Sequence, residues 1–320
     1  MNATAKFKTL LLCSAMLATL WSTDSIAAAT GSFERTLSVD EPLVLDVSTG
    51  SGTIDISVGS SGRVEISGRI KVRQRSIFGW SGNKDEDLQA FVDLFENEPP
   101  VSLSDGRLQV GHVKDKRYGK NVTIDYEIVV PRNTIVESHT GSGAQTIIDV
   151  EGAVTASSGS GRIKLSNIGS DVDASTGSGS ITADGVAGAF EAHSGSGDVK
   201  MTQVAPGDVV VTTGSGSSEL QGVVGALRVK AGSGKIVVDG QQHGDWSLDT
   251  GSGSVRVRLP SDAAFELDAE SGSGGVNIDH PLTVRGKISK RHLRGEVRGG
   301  GDLLEIETGS GSIRIEQGGG

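Results

Sequence analysis

The chain has 320 residues, of which 22% are charged and 4% aromatic, with 47 glycines, one cysteine and a formal net charge of −10. That acid excess excludes a molecule-wide basic surface for nucleic acid or anionic lipid. A single cysteine excludes a disulfide scaffold.

At the start, Lys6 and Lys8, an apolar run from Leu10 to Leu20 and the small residues Ala27, Ala28 and Ala29 follow the order of a secretory signal peptide. Residues 1–29 are therefore read as a cleaved leader and 30–320 as one exported domain, periplasmic or extracellular. The apolar run is too short to span a bilayer, so no transmembrane segment is expected in the mature chain. Removing Lys6, Lys8 and Asp24 from the 30 basic and 40 acidic residues leaves 28 and 39. Removing Cys13 leaves no thiol, so stability in an oxidising compartment has to come from core and backbone ladders.

Residues 62–130 form an irregular N-terminal part. "GRVEISGRIKVRQR" is basic, and "RSIFGWSG" sets Ile77, Phe78 and Trp80 beside Arg73 and Arg75 in a loop. These five are the candidate partner-binding residues, suited to a protein, a glycan or lipid headgroups; the alternative is that they fold back and plug a solenoid end. In "NKDEDLQAFVDLFENEPP", Leu88, Phe91, Val92 and Phe95 have helical spacing, Asn83 and Glu86 make a capping pair, and Pro99-Pro100 a stop. This predicts an amphipathic helix over about 84–97.

A repeat dominates the rest. Gly-Ser-Gly steps begin at Gly50, Gly141, Gly159, Gly177, Gly195, Gly214, Gly232, Gly251, Gly272 and Gly309; from Gly141 to Gly251 the spacings are 18, 18, 18, 19, 18 and 19. A flexible linker holds no such register. After each step, apolar residues such as Ile163, Ile181 and Val199 alternate with polar ones. A turn follows, then a second alternating strand with columns such as Val154, Val172, Phe190 and Ala156, Ala174, Ala192. Each unit thus gives two strands and two corners and buries its apolar face only by stacking. The expected fold is all-β, a single-chain β-solenoid (β-helix) of about 18-residue two-strand coils, with one short amphipathic helix and capped ends. Regular coils occupy 131–279 and a C-terminal cap 280–320, which holds the basic "VRGKISKRHLRGEVRG" and a last repeat after a 37-residue interval close to two periods. Gly-Ser-Gly is read as a tight corner where side chains collide, with positive φ a second reason for glycine. The Thr or Ser before it makes a hydroxyl ladder.

"TIDYEIVVPRNTIVESHTGSG", the strand and turn units closed by "TGSG", and "LLEIETGSGSIRIE" together resemble the bacterial "putative adhesin" domain family, over roughly Leu43 to Gln317. The resemblance implies an envelope-associated or secreted β-solenoid and carries over no catalytic residues.

Chemical motifs are sparse. "AGSGKI" has Val229 where a phosphate loop needs its first glycine, Ile236 in place of Ser/Thr, and a strand where the helix belongs. Neither a Gly-x-Ser-x-Gly elbow nor His-Glu-x-x-His occurs. His139 and His193, three coils or about 14 Å apart, share no metal. Glu137, Asp173, Glu191, Asp268 and Glu305 fall in one outward column, and Asp171, Asp208, Asp245 and Glu266 in the next. Such columns bind Ca²⁺ or act as acid/base pairs in some solenoids, but as solvated faces they simply keep a solenoid soluble. The reading is a non-enzymatic binding, adhesion or scaffold module of the cell envelope, with no cofactor, metal or nucleic acid and an envelope or extracellular protein or glycan as partner. The alternatives are a polysaccharide-active enzyme on a β-helix and an envelope-stress sensing module.

Overall fold

The computed structural model describes residues 28–40, 42–73, 84–112, 122–284 and 289–318. The N-terminal part comprises β1 (Ala28–Ser38), β2 (Val44–Thr49), β3 (Ile54–Val58), β4 (Arg63–Arg73), helix α1 (Lys84–Asn97), β5 (Val101–Ser104), β6 (Arg107–Val110) and β7 (Val122–Val130). Two-strand coils follow: β8 (Ile135–Thr140) and β9 (Gln145–Ile148), β10 (Val154–Ser158) and β11 (Ile163–Ile168), β12 (Val172–Thr176) and β13 (Ile181–Val186), β14 (Phe190–Ser194) and β15 (Val199–Gln203). Then come β16 (Val209–Thr213), the long β17 (Ser218–Ala231) and β18 (Ile236–Thr250), each spanning half of two coils, β19 (Val255–Pro260), β20 (Phe265–Ser271) and β21 (Val276–Ile278). The chain closes with β22 (Leu282–Val284), β23 (His292–Val297), β24 (Leu303–Thr308) and β25 (Ile313–Gly318).

This is the all-β solenoid that the repeat predicts. Successive coils pair in parallel and in register, Val154 beside Val172 and Ile163 beside Ile181, so equivalent residues stack into columns. On one inner face Val136, Val154, Val172, Phe190, Val209, Leu227 and Trp246 are buried; on the other, Ile163, Ile181, Val199, Ile236 and Val255. Ala156, Ala174 and Ala192, also buried, keep the faces close enough for one narrow core. The interval of 19 before Gly214 is taken up in the turn between Gln203 and Val209, since Val186 pairs with Gln203 and Phe190 with Val209; the buried Gln203 amide braces that turn, donating to the carbonyls of Gly188 and Gly207 and accepting from Val224 N–H.

All ten Gly-Ser-Gly steps form one corner ladder. A Cβ on Gly161 would overlap the carbonyl oxygen of Gly143, and one on Gly179 that of Gly161. None of the twenty corner glycines has positive φ. Close stacking of backbones is therefore the whole reason for glycine there, and the expected conformational reason is corrected. The hydroxyls before the corner do not chain to one another. Thr176 donates to Gly161 carbonyl at 3.3 Å and accepts Gly179 N–H at 3.0 Å, tying each coil to its neighbour and closing its own turn. Thr250 and Thr308 do likewise. Ala231 lacks the hydroxyl, and Thr213 instead donates to its own Gly216 carbonyl.

Stack order differs from chain order at both ends. The coil β2/β3 lies between β6/β7 on one side and β8/β9 on the other. The coil β24/β25 lies between β18/β19 and β20/β21. Glycine contacts agree: Gly309 packs on Gly251 and Gly272 on Gly309. Residues 303–318 are thus an interior coil and not part of a terminal cap, and the 37-residue interval holds the end of the stack instead of a second coil. The end layer there is β23, antiparallel to β20 and followed by β22. At the other end β1 and β4 pair antiparallel beyond β7, and α1 lies on them through buried Leu88, Val92 and Phe95, with Val92 against the bare backbone of Gly31. Glu96 accepts Ser32 N–H at 2.8 Å, and Arg35 donates to the last helical carbonyls, of Glu96 and Asn97. The capping residue Asn83 lies outside the described residues.

Candidate functional site

Alternation along β8, β10, β12, β14 and β16 turns every second side chain outward, and in-register stacking lines these up. One outward column runs Ser48, His139, Ser157, Ser175, His193, Thr212 and Lys230. It continues through Asp249, Glu307, Glu270 and His292, so its chemistry changes from hydroxyl and imidazole to carboxylate along the stack. Where this column meets the corner, a shallow open groove is lined by Ser175, His193, Thr212 and the bare backbones of Gly177 and Gly195. Its polar groups are mostly uncharged donors and acceptors. His139 shares a 2.6 Å hydrogen bond with Ser157, and His193 lies 2.9 Å from Glu191.

The two acidic columns have different fates. Asp171, Asp208 and Asp245 each accept a backbone N–H of the neighbouring layer, from Ala189, Ala226 and Leu303, at 2.8, 3.0 and 2.9 Å. They terminate turns and are occupied by that task. In the first column the register aligns Glu137, Asp173, Glu191, Glu305 and Asp268, interrupted by Thr155, Val210, Arg228 and Ser247. Asp268 is paired with His292 at 2.9 Å and Arg294 at 3.6 Å. Among the described residues no group of three or more His, Cys, Asp or Glu is arranged to hold a metal ion.

A charged cluster not foreseen from the sequence sits on the N-terminal layers. Buried Asp46 accepts from Arg107 at 3.0 Å and lies 2.8 Å from His112 Nε2, while Arg107 also binds Glu137. Burial alone would raise the Asp46 pKa; the hydrogen bonds from Arg107 and His112 outweigh it and hold the carboxyl below its ordinary value. The only sequence signal is the outward position of Asp46 and Glu137 in the same column, because nothing local reveals that β6 stacks on β2. Arg107 therefore clamps three layers.

Of the residues expected to contact a partner, Arg73 ends β4, its backbone opposite Ala28. Arg75, Ile77, Phe78 and Trp80 lie outside the described residues. No helix among the described residues is long and apolar enough to cross a membrane.

A sequence model of the family described as Toastrack DUF4097 matches residues 98–316. No curated protein matches the chain. Among solved structures, a "putative cell adhesion protein" from Clostridium sporogenes is 14% identical, with 90% of this chain and 100% of that one covered and a TM-score of 0.21. A "putative adhesin" from Bacteroides fragilis is 12% identical, with 89% and 97% covered and a TM-score of 0.39.

Proposed function

Since the chain belongs to the Toastrack DUF4097 family, we propose that it is an exported, non-enzymatic β-solenoid that binds an envelope or extracellular partner, as an adhesion or scaffold module of the bacterial cell envelope. The observation that carries this reading is the outward column with its groove. A hydroxyl or imidazole and an exposed glycine backbone stand in each coil of the groove at the strand spacing of about 4.8 Å, which offers an extended partner a polar contact coil after coil. A glycan or an extended polypeptide has the matching repeat of donors and acceptors. The carboxylates of Asp171, Asp208 and Asp245 are held by backbone amides, which supports a structural role for them over acid/base chemistry. Arg73, Arg75, Ile77, Phe78 and Trp80 are proposed as a second contact, on the sequence pattern of aromatic beside basic residues.

The test is binding of the purified protein to a glycan panel and to envelope proteins, compared with His193→Ala and Trp80→Ala. Saturable binding that weakens in either variant at unchanged melting temperature is the expected result. Turnover of a polysaccharide without a stable complex would overturn the proposal.

A further inference from the structure

We propose that the slot filled by β24 and β25 accepts residues 303–318 of a second copy of this chain, so that the protein forms reciprocal swapped dimers through its last coil. Three observations carry the inference. Every ladder partner of this coil is distant in sequence: Trp246 beside Leu304, Val255 beside Ile313, Leu267 beside Leu304. The slot fixes the register of its occupant from both sides, because Thr308 donates to Gly253 carbonyl at 2.8 Å and Ser271 donates to Gly311 carbonyl at 2.7 Å. The connection that delivers the coil is residues 298–302, which carry the chain from the end layer back across β20. It bends through three successive residues of positive φ, Arg298 at 53°, Gly299 at 92° and Gly300 at 86°.

Arg298 is not a glycine, so its left-handed backbone is strained; opening the connection removes that strain. A short strained hinge beside a separable element is the arrangement that favours exchange between copies. Fully extended, five residues span about 17 Å; the path from one β23 through the facing β23 and β20 to the slot is three strand steps of about 4.8 Å, so two molecules exchange coils once the three-residue outer strand β22 of each has moved aside. The donor makes the same ladder and corner bonds in either molecule. Hinge strain and protein concentration are then what separate the closed monomer from the swapped dimer.

The test uses the full chain with Cys13→Ser and a cysteine pair, Ser247→Cys with Glu305→Cys, which are register partners on the outward side of β18 and β24. A control carries Asp173→Cys with Glu191→Cys between consecutive coils. Copies with two different tags are unfolded together, refolded over a range of concentrations and crosslinked. The first pair should join the two tags in a fraction that rises about tenfold from dilute to concentrated refolding, with the control joined only within one chain. Inserting Gly-Ser-Gly-Ser after Gly300 should lower that fraction by relaxing the hinge. Light scattering on the chain with no added cysteines provides a readout free of the substitutions. A monomer at every concentration, or crosslinking between tags that is equal in both pairs, would overturn the proposal.

Discussion

A glycine in a Gly-Ser-Gly corner has a neighbouring coil's carbonyl where its Cβ would be, and its φ is ordinary. Gly179→Ala should therefore cost about 1–3 kcal/mol by forcing adjacent coils apart, whereas Ser178→Ala should be nearly neutral; urea unfolding of both variants separates the two effects. Ala231 is the complementary position, since the hydroxyl that its neighbours use is missing there. Ala231→Thr should stabilise by about 1 kcal/mol by donating to Gly216 and accepting from Gly234, read as a rise in unfolding midpoint. His280 is buried against Phe265, its Nε2 facing Glu316 carbonyl at 3.4 Å, with Arg298 and Asp279 nearby. Burial lowers its pKa, so the unfolded chain takes up the proton more readily. Its contribution to stability is complete above the unfolded value of about 6.5 and is lost as pH falls below it. His280→Gln should flatten that part of the stability profile, measured as melting temperature between pH 7.5 and pH 5.

At the level of elements, the strands and their inward columns are legible because alternation and an 18-residue period are properties of contiguous sequence. Helix α1 is legible for the same reason, from Leu88, Val92 and Phe95. The clamp of Arg107 on Asp46 and Glu137 is not, because it joins β6, β2 and β8, which are adjacent only once β6/β7 has stacked outside β2/β3. The aspartates of the second acidic column show the same limit: their spacing is visible, but their backbone partners are one layer away. Arg107→Ala leaves Asp46 buried with one partner fewer and should cost about 1–3 kcal/mol near neutral pH. Because the folded pKa of Asp46 is depressed, the loss is present above the unfolded carboxylate value near 3.9 and fades as pH falls through the folded one. Chemical unfolding at pH 7 and pH 3 gives the comparison.

Over the whole molecule, a solenoid with its coils in chain order would fray from its two terminal repeats. Here the first and last Gly-Ser-Gly coils, 44–58 and 303–318, are each held between two layers; β1 and β4 cover one end of the stack and the internal segment β22/β23 covers the other. A period in the sequence counts coils without ordering them, which is why the last Gly-Ser-Gly at Gly309 reads as an end and packs as an interior step. Native-state hydrogen exchange across the full chain tests this order most directly. Amides of residues 304–308 and 313–315 should be as protected as those of 172–176 and 181–183 in the middle of the stack, while 282–284 exchange first. Exchange in 304–315 as fast as in 282–284 would contradict the interior placement of the last coil.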